Sequence, residues 1–299
     1  MDIKTLIDRV STAIRAGERV QIFSDFDDTL CHSGNDPLRA KIDRNALVGI
    51  RSLINHTNVS FTMITGRSAT NMLARLPVSK TKPPFHIMGS HGTELMRAGG
   101  TVIEKLPLPS GADYIIEQFN KVAGALGALT PGLIAHYKHG CVNIDARNMV
   151  DTNPQVRAAI LAEARGAFEV ILQSPHHPVV NGEKIFVIHS DTEHDVTVLS
   201  EVFNKGYAID NADYVDRNAL TIFMGDSLSP GGNDRAAALL VSNAEKFPQG
   251  VVVQVRNGRA PDIRRTATDG GADIILNHPS ETGLFLLHAA RAAKAKPTL

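Results

Sequence analysis

Cysteine is nearly missing from this sequence: Cys31 and Cys141 stand far apart in 299 residues. Two such residues exclude a disulfide framework and fit a reducing compartment. Net charge is missing as well. Lys+Arg and Asp+Glu number 31 each, so no global field draws in nucleic acid or an anionic membrane, and any anion must be met by local charge. No apolar run approaches the roughly 18 residues of a membrane span. The N-terminal stretch MDIKTLIDRVSTAIRAGERV is amphipathic and lacks the apolar core of a signal peptide. The histidines have no H-E-x-x-H or C-x-x-C spacing around them, which argues against zinc. These absences predict a cytoplasmic protein with no nucleic-acid and no membrane partner.

What is present is an alternation of short apolar runs with helical patterns. Residues 2–16 carry Ile3, Leu6, Ile7, Val10 and Ile14 at helical spacing, and RVQIFSDFD reads as a buried strand running into a loop. NALVGIRSLI (helix), VSFTMIT (strand), SATNMLARL (helix) and FHIMGSHG (strand) follow. ALTIFMGD, GVVVQVRN and ADIILN read as strands near the other end, with NDRAAALLVSNA, PDIRRTAT and SETGLFLLHAARAA as helices. Strands alternating with helices imply βαβ units and a parallel sheet.

Between the two halves the rhythm changes. Helices are expected over 111–127 and 154–167, and a hairpin in LIAHYKHGCVNIDAR turning at His139-Gly140. FEVILQ, HPVV and EKIFVIH are then expected as strands in quick succession, as in an antiparallel sheet. The fold class predicted is α/β: a Rossmann-like core with a parallel sheet, made of residues 1–107 and 196–299. An α+β domain, 108–195, is inserted into it.

The stretch SDFDDTL puts Asp25, Asp27 and Asp28 within four positions after the first strand. Carboxylates this close repel one another unless a cation sits among them. D-x-D in a loop is also found as a plain turn with solvated aspartates. Here, however, other polar signatures occupy matching places: Thr65-Gly66-Arg67 after the second strand, Gly225-Asp226 after a later one. In an open parallel sheet, ligands gather at these carboxyl ends. Hard oxygen ligands in such a cluster suit Mg²⁺. One carboxylate can then attack phosphorus, and a second, two residues on, can act as general acid and then base.

SDFDDTL, MITGRS and MGDSLSPGGND resemble, in order, the first, second and fourth motifs of the haloacid dehalogenase-like phosphatase superfamily. The resemblance implies that core, an inserted cap, and hydrolysis of a small phosphorylated metabolite with Mg²⁺. It makes Asp25 the nucleophile forming an aspartyl-phosphate and Asp27 the general acid/base, with the Thr65 hydroxyl and a nearby backbone N–H at the phosphoryl group. Asp226 completes the Mg²⁺ site with Asp25 and the Asp27 carbonyl, while Asp234, or alternatively Asn233, supports the metal through its waters. Asp28 stands where glycine is common and is assigned no chemistry.

Within the superfamily, ITGRS with GSHGTEL resembles trehalose-6-phosphate phosphatase, whereas the MGDSLSPGGND run and YKHGCVNIDAR resemble eukaryotic phosphomannomutase. The hydrolase-like Thr-Gly-Arg favours the phosphatase. Gly66, Arg67, His91, Asn143, Arg147 and His194 become expected substrate contacts; His91 is alternatively a hydrogen-bonded structural histidine. The third-motif lysine is open. Ungapped alignment places Asp195 there, spacing from Asp226 favours Lys205, and Lys184 and His194 are further choices. The bland alternative for Lys205 is a solvated lysine at a helix end closed by Gly206. The competing functions are a phosphomannomutase-like phosphotransferase and a pseudo-phosphatase that binds a phosphorylated ligand.

Overall fold

The computed structural model describes residues 1–32, 40–77, 82–149, 152–180, 183–189, 195–256 and 271–295. The chain opens with α1 (Ile3–Ala16), capped by the Asp2 carboxylate, which accepts from the Thr5 N–H at 2.7 Å. Then come β1 (Val20–Ser24), α2 (Arg44–Leu53), β2 (Val59–Ile64), α3 (Ala69–Arg75) and β3 (His86–Gly89), with two short strands, β4 (Glu94–Met96) and β5 (Ile103–Lys105). A different stretch follows: α4 (Ala112–Leu129), β6 (Ile134–Lys138), β7 (Cys141–Asp145), α5 (Pro154–Leu172), β8 (Val179–Val180), β9 (Glu183–Lys184), β10 (Phe186–His189) and β11 (Asp195–Ser200). The alternation returns with α6 (Lys205–Asn211), β12 (Leu220–Gly225), α7 (Arg235–Ser242), β13 (Gly250–Val255), β14 (Ile274–Leu276) and α8 (Pro279–Lys294).

Among the described residues, one sheet has the order β14-β13-β12-β1-β2-β3-β4-β5. It is parallel from β14 to β3, and β4 turns antiparallel against β3. β1 and β12 are buried along their whole length, which is why they are mainly apolar, with Gln21, Ser24 and Thr221 as buried polar exceptions. Successive residues feed opposite layers. Ile22 joins Leu6, Ile50 and Phe285 from α1, α2 and α8, while Phe23 joins Ile209 and Val241 from α6 and α7. β1 lies between β12 and β2, so the loops after Ser24, Ile64 and Gly225 leave the sheet side by side.

Residues 1–104 and 205–299 form one compact unit, and residues 105–204 another. The second unit is an antiparallel sheet, β10-β11-β7-β6, with α4 and α5. Phe119, Phe168 and Phe186 meet edge to face in its core, beside Val142, Ile144, Val196 and Val198. The hairpin turns at His139-Gly140 between β6 and β7 as expected.

Two local expectations differ. FEVILQ is the end of α5 and not a strand. Leu161, Ala164 and Phe168 continue one buried helical face, and that face overrides the strand preference of Val170 and Ile171. DVTVLS, unassigned in the sequence, forms β11 in the middle of the second sheet. The helix expected at PDIRRTAT lies outside the described residues.

Candidate active site

Asp25 follows β1 directly, and its N–H donates to the Met224 carbonyl of β12 at 2.9 Å, which ties the loop to the sheet. The residue is 4% exposed. Lys205, the first residue of α6, is 1% exposed, and its ammonium donates to Asp25 Oδ1 at 2.7 Å, Asn233 Oδ1 at 3.0 Å and Asp234 Oδ1 at 2.6 Å. All three ammonium donors are thereby used. A solvated lysine at a helix end would be exposed; Lys205 is instead buried against the Asp25 carboxylate.

Asp234 uses its second oxygen on the chain. Oδ2 accepts from the N–H groups of Asp226 and Ser227, each at 3.1 Å, and so clamps the loop that carries Asp226. Gly225 makes this approach possible, since a Cβ there would lie 2.5 Å from Asp234 Oδ2. Oxygens of Asp25, Asp226 and Asp234 lie within 4.8 Å of one another, and among the described residues this is the cluster suited to a metal ion. It has no soft ligand. Three carboxylates face one ammonium, which leaves two negative charges for a divalent cation to balance.

The electrostatics agree with that count. Burial pushes the Asp25 carboxyl up to about 7; Lys205 opposes the rise, and Asp234 and Asp27 add to it. Burial, then Asp234, Asp25 and Asp28, hold Asp226 well above the usual carboxylate range. Burial works against the charge of Lys205, but Asp234 and Asp25 outweigh it and raise its pKa, so the ammonium persists at neutral pH. A cradle with raised carboxyl pKa values and hard oxygens only is one that a hard cation relieves.

Thr65 is fully buried at the end of β2, and its hydroxyl accepts from the Arg67 N–H at 3.2 Å. Arg67 turns its guanidinium onto Asp27: Nε donates to Oδ2 at 2.8 Å and Nη2 to Oδ1 at 2.6 Å. Nothing in the sequence announces this fork; the family resemblance puts Gly66 and Arg67 at the substrate. His91 sits in a tight turn with φ 59°, next to Ser90 at φ 51°, and its N–H donates to the Thr65 carbonyl at 2.9 Å. It is 8% exposed, with its ring against Gly66. Asp28, too, has positive φ, 53°. That left-handed backbone is the physical reason a glycine suits the position, and aspartate tolerates it.

The other residues named from the sequence lie in the unit of residues 105–204. Asn143 donates to Asp195 Oδ2 at 3.1 Å and to Thr197 Oγ1 at 2.6 Å, and Arg147 forms a fork on Asp145. Asp195, the residue that ungapped alignment puts in place of the lysine, therefore sits in the cap sheet. Lys184 gives its ammonium to the Leu172 carbonyl at 2.7 Å. His194 lies outside the described residues.

No family model and no curated protein matches the chain. Solved structures do. The C-terminal domain of Candida albicans trehalose-6-phosphate phosphatase matches with TM-score 0.69 and 15% identity, over 95% of this chain and 96% of that one. The chain has the fold of the trehalose-6-phosphate phosphatases. The C-terminal domain of the Candida albicans trehalose synthase regulatory protein matches at 0.64 and 11%, over 93% and 97%. A trehalose-6-phosphate phosphatase related protein matches at 0.58 and 18%, over 91% and 97%. The α/β core with a parallel sheet and an inserted α+β unit, expected from the sequence, is thus the fold observed. One of these neighbours is named as a regulatory protein, so function must be argued from the site and not from the fold.

Proposed function

We propose that the protein is a Mg²⁺-dependent phosphatase of a sugar phosphate or similar small phosphorylated metabolite, comparable to trehalose-6-phosphate phosphatase. The observation that carries this is the buried Lys205 ammonium 2.7 Å from Asp25 Oδ1, beside the Asp226 and Asp234 oxygens. A pseudo-phosphatase has no need to keep a nucleophile, its neutralising cation and a charge-deficient metal cradle together in one buried site.

Asp25, Asp226 and the Asp27 carbonyl would hold the cation, with Asp234 fixing the loop around it; bound there, Mg²⁺ would supply positive charge to the phosphoryl oxygens. An Asp25 oxygen attacks phosphorus, and the bond from phosphorus to the ester oxygen breaks. That oxygen leaves with the proton of the Asp27 carboxyl. Water then attacks the aspartyl-phosphate and gives a proton to the Asp27 carboxylate, and the bond from Asp25 to phosphorus breaks. Inorganic phosphate leaves and both residues return to their starting forms. Lys205 balances charge at the nucleophile throughout, a contribution of the kind worth about 3 kcal/mol in rate. The Thr65 hydroxyl would hold a phosphoryl oxygen. Residues 105–204 would choose the substrate, with Asn143 and Arg147 as the candidate contacts. The free, buried cysteines suit a cytoplasmic setting.

A phosphate-release assay over a panel of sugar phosphates with Mg²⁺ tests this. Release from at least one member, abolished by chelator, is expected. Full turnover in excess chelator contradicts the metal role. Isomerised product appearing with a hexose bisphosphate activator would replace hydrolysis with phosphotransfer. Tight binding of a sugar phosphate with no turnover would make the protein a pseudo-phosphatase.

A further inference from the structure

The fork between Arg67 and Asp27 is the second strong charge pairing of the site, and it has a different character from that of Lys205. Arg67 is held rigidly before its side chain begins. Its N–H donates to Thr65 Oγ1 at 3.2 Å, and its carbonyl accepts from the Ser90 N–H at 2.7 Å. The guanidinium carbon lies 5.8 Å from the ring centre of Phe26, the fully buried residue between Asp25 and Asp27. From there Nε and Nη2 meet both oxygens of Asp27 at 2.8 and 2.6 Å, a planar fork that fixes direction as well as distance. The Arg67 side chain is 13% exposed and that of Asp27 is 33% exposed, so the aspartate faces outward while its holder is enclosed.

We infer that Arg67 is the positioning residue of the general acid/base Asp27. This rests on the phosphatase reading above. The Nε–Nη2 edge of the guanidinium is spent on both oxygens of Asp27. A backbone pinned at both ends, with an aromatic floor, leaves the fork one place to point. Positioning matters because proton transfer needs the donor oxygen within hydrogen-bond reach of the departing ester oxygen. The contribution of Arg67 therefore appears only where the leaving oxygen needs a proton. A phenol as acidic as p-nitrophenol leaves without one; the alcohol of a sugar does not.

The test compares kcat and KM for p-nitrophenyl phosphate and for the best sugar phosphate of the panel, in wild type, Arg67→Lys, Arg67→Gln, Asp27→Asn and the Arg67→Gln/Asp27→Asn double variant. The lysine variant keeps charge and bulk while losing the fork, and thermal melts report folding. Under subsaturating substrate, Arg67→Lys and Arg67→Gln should lower kcat/KM for the sugar phosphate by about a hundredfold, within the range ascribed to general acid catalysis. For first phosphoryl transfer from p-nitrophenyl phosphate the loss should be less than about tenfold. KM should change little, and the double variant should be no slower than Asp27→Asn, since the two residues act as a unit. Equal losses on both substrates with raised KM, or additive losses in the double variant, would overturn the inference and return Arg67 to the phosphate. A wild type that releases phosphate from no monoester would overturn the phosphatase reading itself, and the inference with it.

Discussion

At the scale of single residues, the decisive quantity is charge in a buried space. Asp25, Asp226 and Asp234 outnumber Lys205, and burial raises Asp25 to about 7 and Asp226 well above its ordinary range. The sign of the consequence follows from proton counts. Between the ordinary carboxyl value of 3.8 and about 7 the folded protein holds protons that the unfolded chain has released, so stability falls as pH rises through that window. The raised pKa of Lys205 acts only above 10.5 and does not enter it. His86, whose pKa burial lowers to about 4, runs the other way in the same window, so the direct reading is the melting temperature gained on adding Mg²⁺, which should grow between about pH 4 and 7. A gain that is flat or shrinking over that range would show the cradle to be balanced without a cation. Lys205→Ala leaves Asp25 and Asp234 without their ammonium. It should destabilise by about 3 kcal/mol and cut kcat/KM at least about tenfold, read by melts and phosphate release. Unchanged values in both would remove Lys205 from the site. Asp25, Asp27 and Asp226 stood out in the sequence because carboxylates directly after buried strands do not serve packing, and the fold brings Asp25 and Asp226 together. The fork of Arg67 was not, since its partner lies 40 positions away and nothing local announces it.

At the scale of elements, the strands that place the site were the most legible part. β1, β2 and β12 are almost wholly buried, so their sequences are mainly apolar, with only Gln21, Ser24, Ser60, Thr62 and Thr221 polar, and are bounded by polar loops. FEVILQ misled because its β-branched residues were weighed without the helical face that began at Leu161. Gly206 misled differently. It opens α6 and does not end a helix; a Cβ there would lie 2.6 Å from the Ala236 carbonyl oxygen, so its role is to let α6 meet α7 closely. The same logic of close approach yields a prediction at the end of β12. Gly225→Ala forces Asp234 away from the Asp226 and Ser227 N–H groups. Stability should fall by about 1–3 kcal/mol, and the Mg²⁺ concentration for half-maximal activity should rise. A variant with wild-type melting temperature and Mg²⁺ response would show that the clamp does not shape the metal loop.

At the scale of the whole molecule, the acidic cluster and Lys205 lie in the unit of residues 1–104 and 205–299, and the polar network of Asn143, Asp195 and Thr197 belongs to the other. Asn143→Ala should therefore raise KM for the preferred sugar phosphate several-fold while leaving p-nitrophenyl phosphate turnover near wild type. Equal losses on both substrates would deny the cap that selective part. Composition could announce two units and the change of rhythm between them. It could not announce the substrate, because hydrogen-bonding side chains on a sheet face take their meaning from neighbours on other strands, as Asn143 does. The central claim is that Asp25 carries the phosphoryl group. It is tested most directly in Asp27→Asn, where p-nitrophenyl phosphate can still transfer its phosphoryl group but water lacks its base. With Mg²⁺ present, acid quenching and peptide mass mapping should find one phosphoryl group on Asp25. Release of p-nitrophenol with the phosphoryl group on another residue, or on none, would contradict the account.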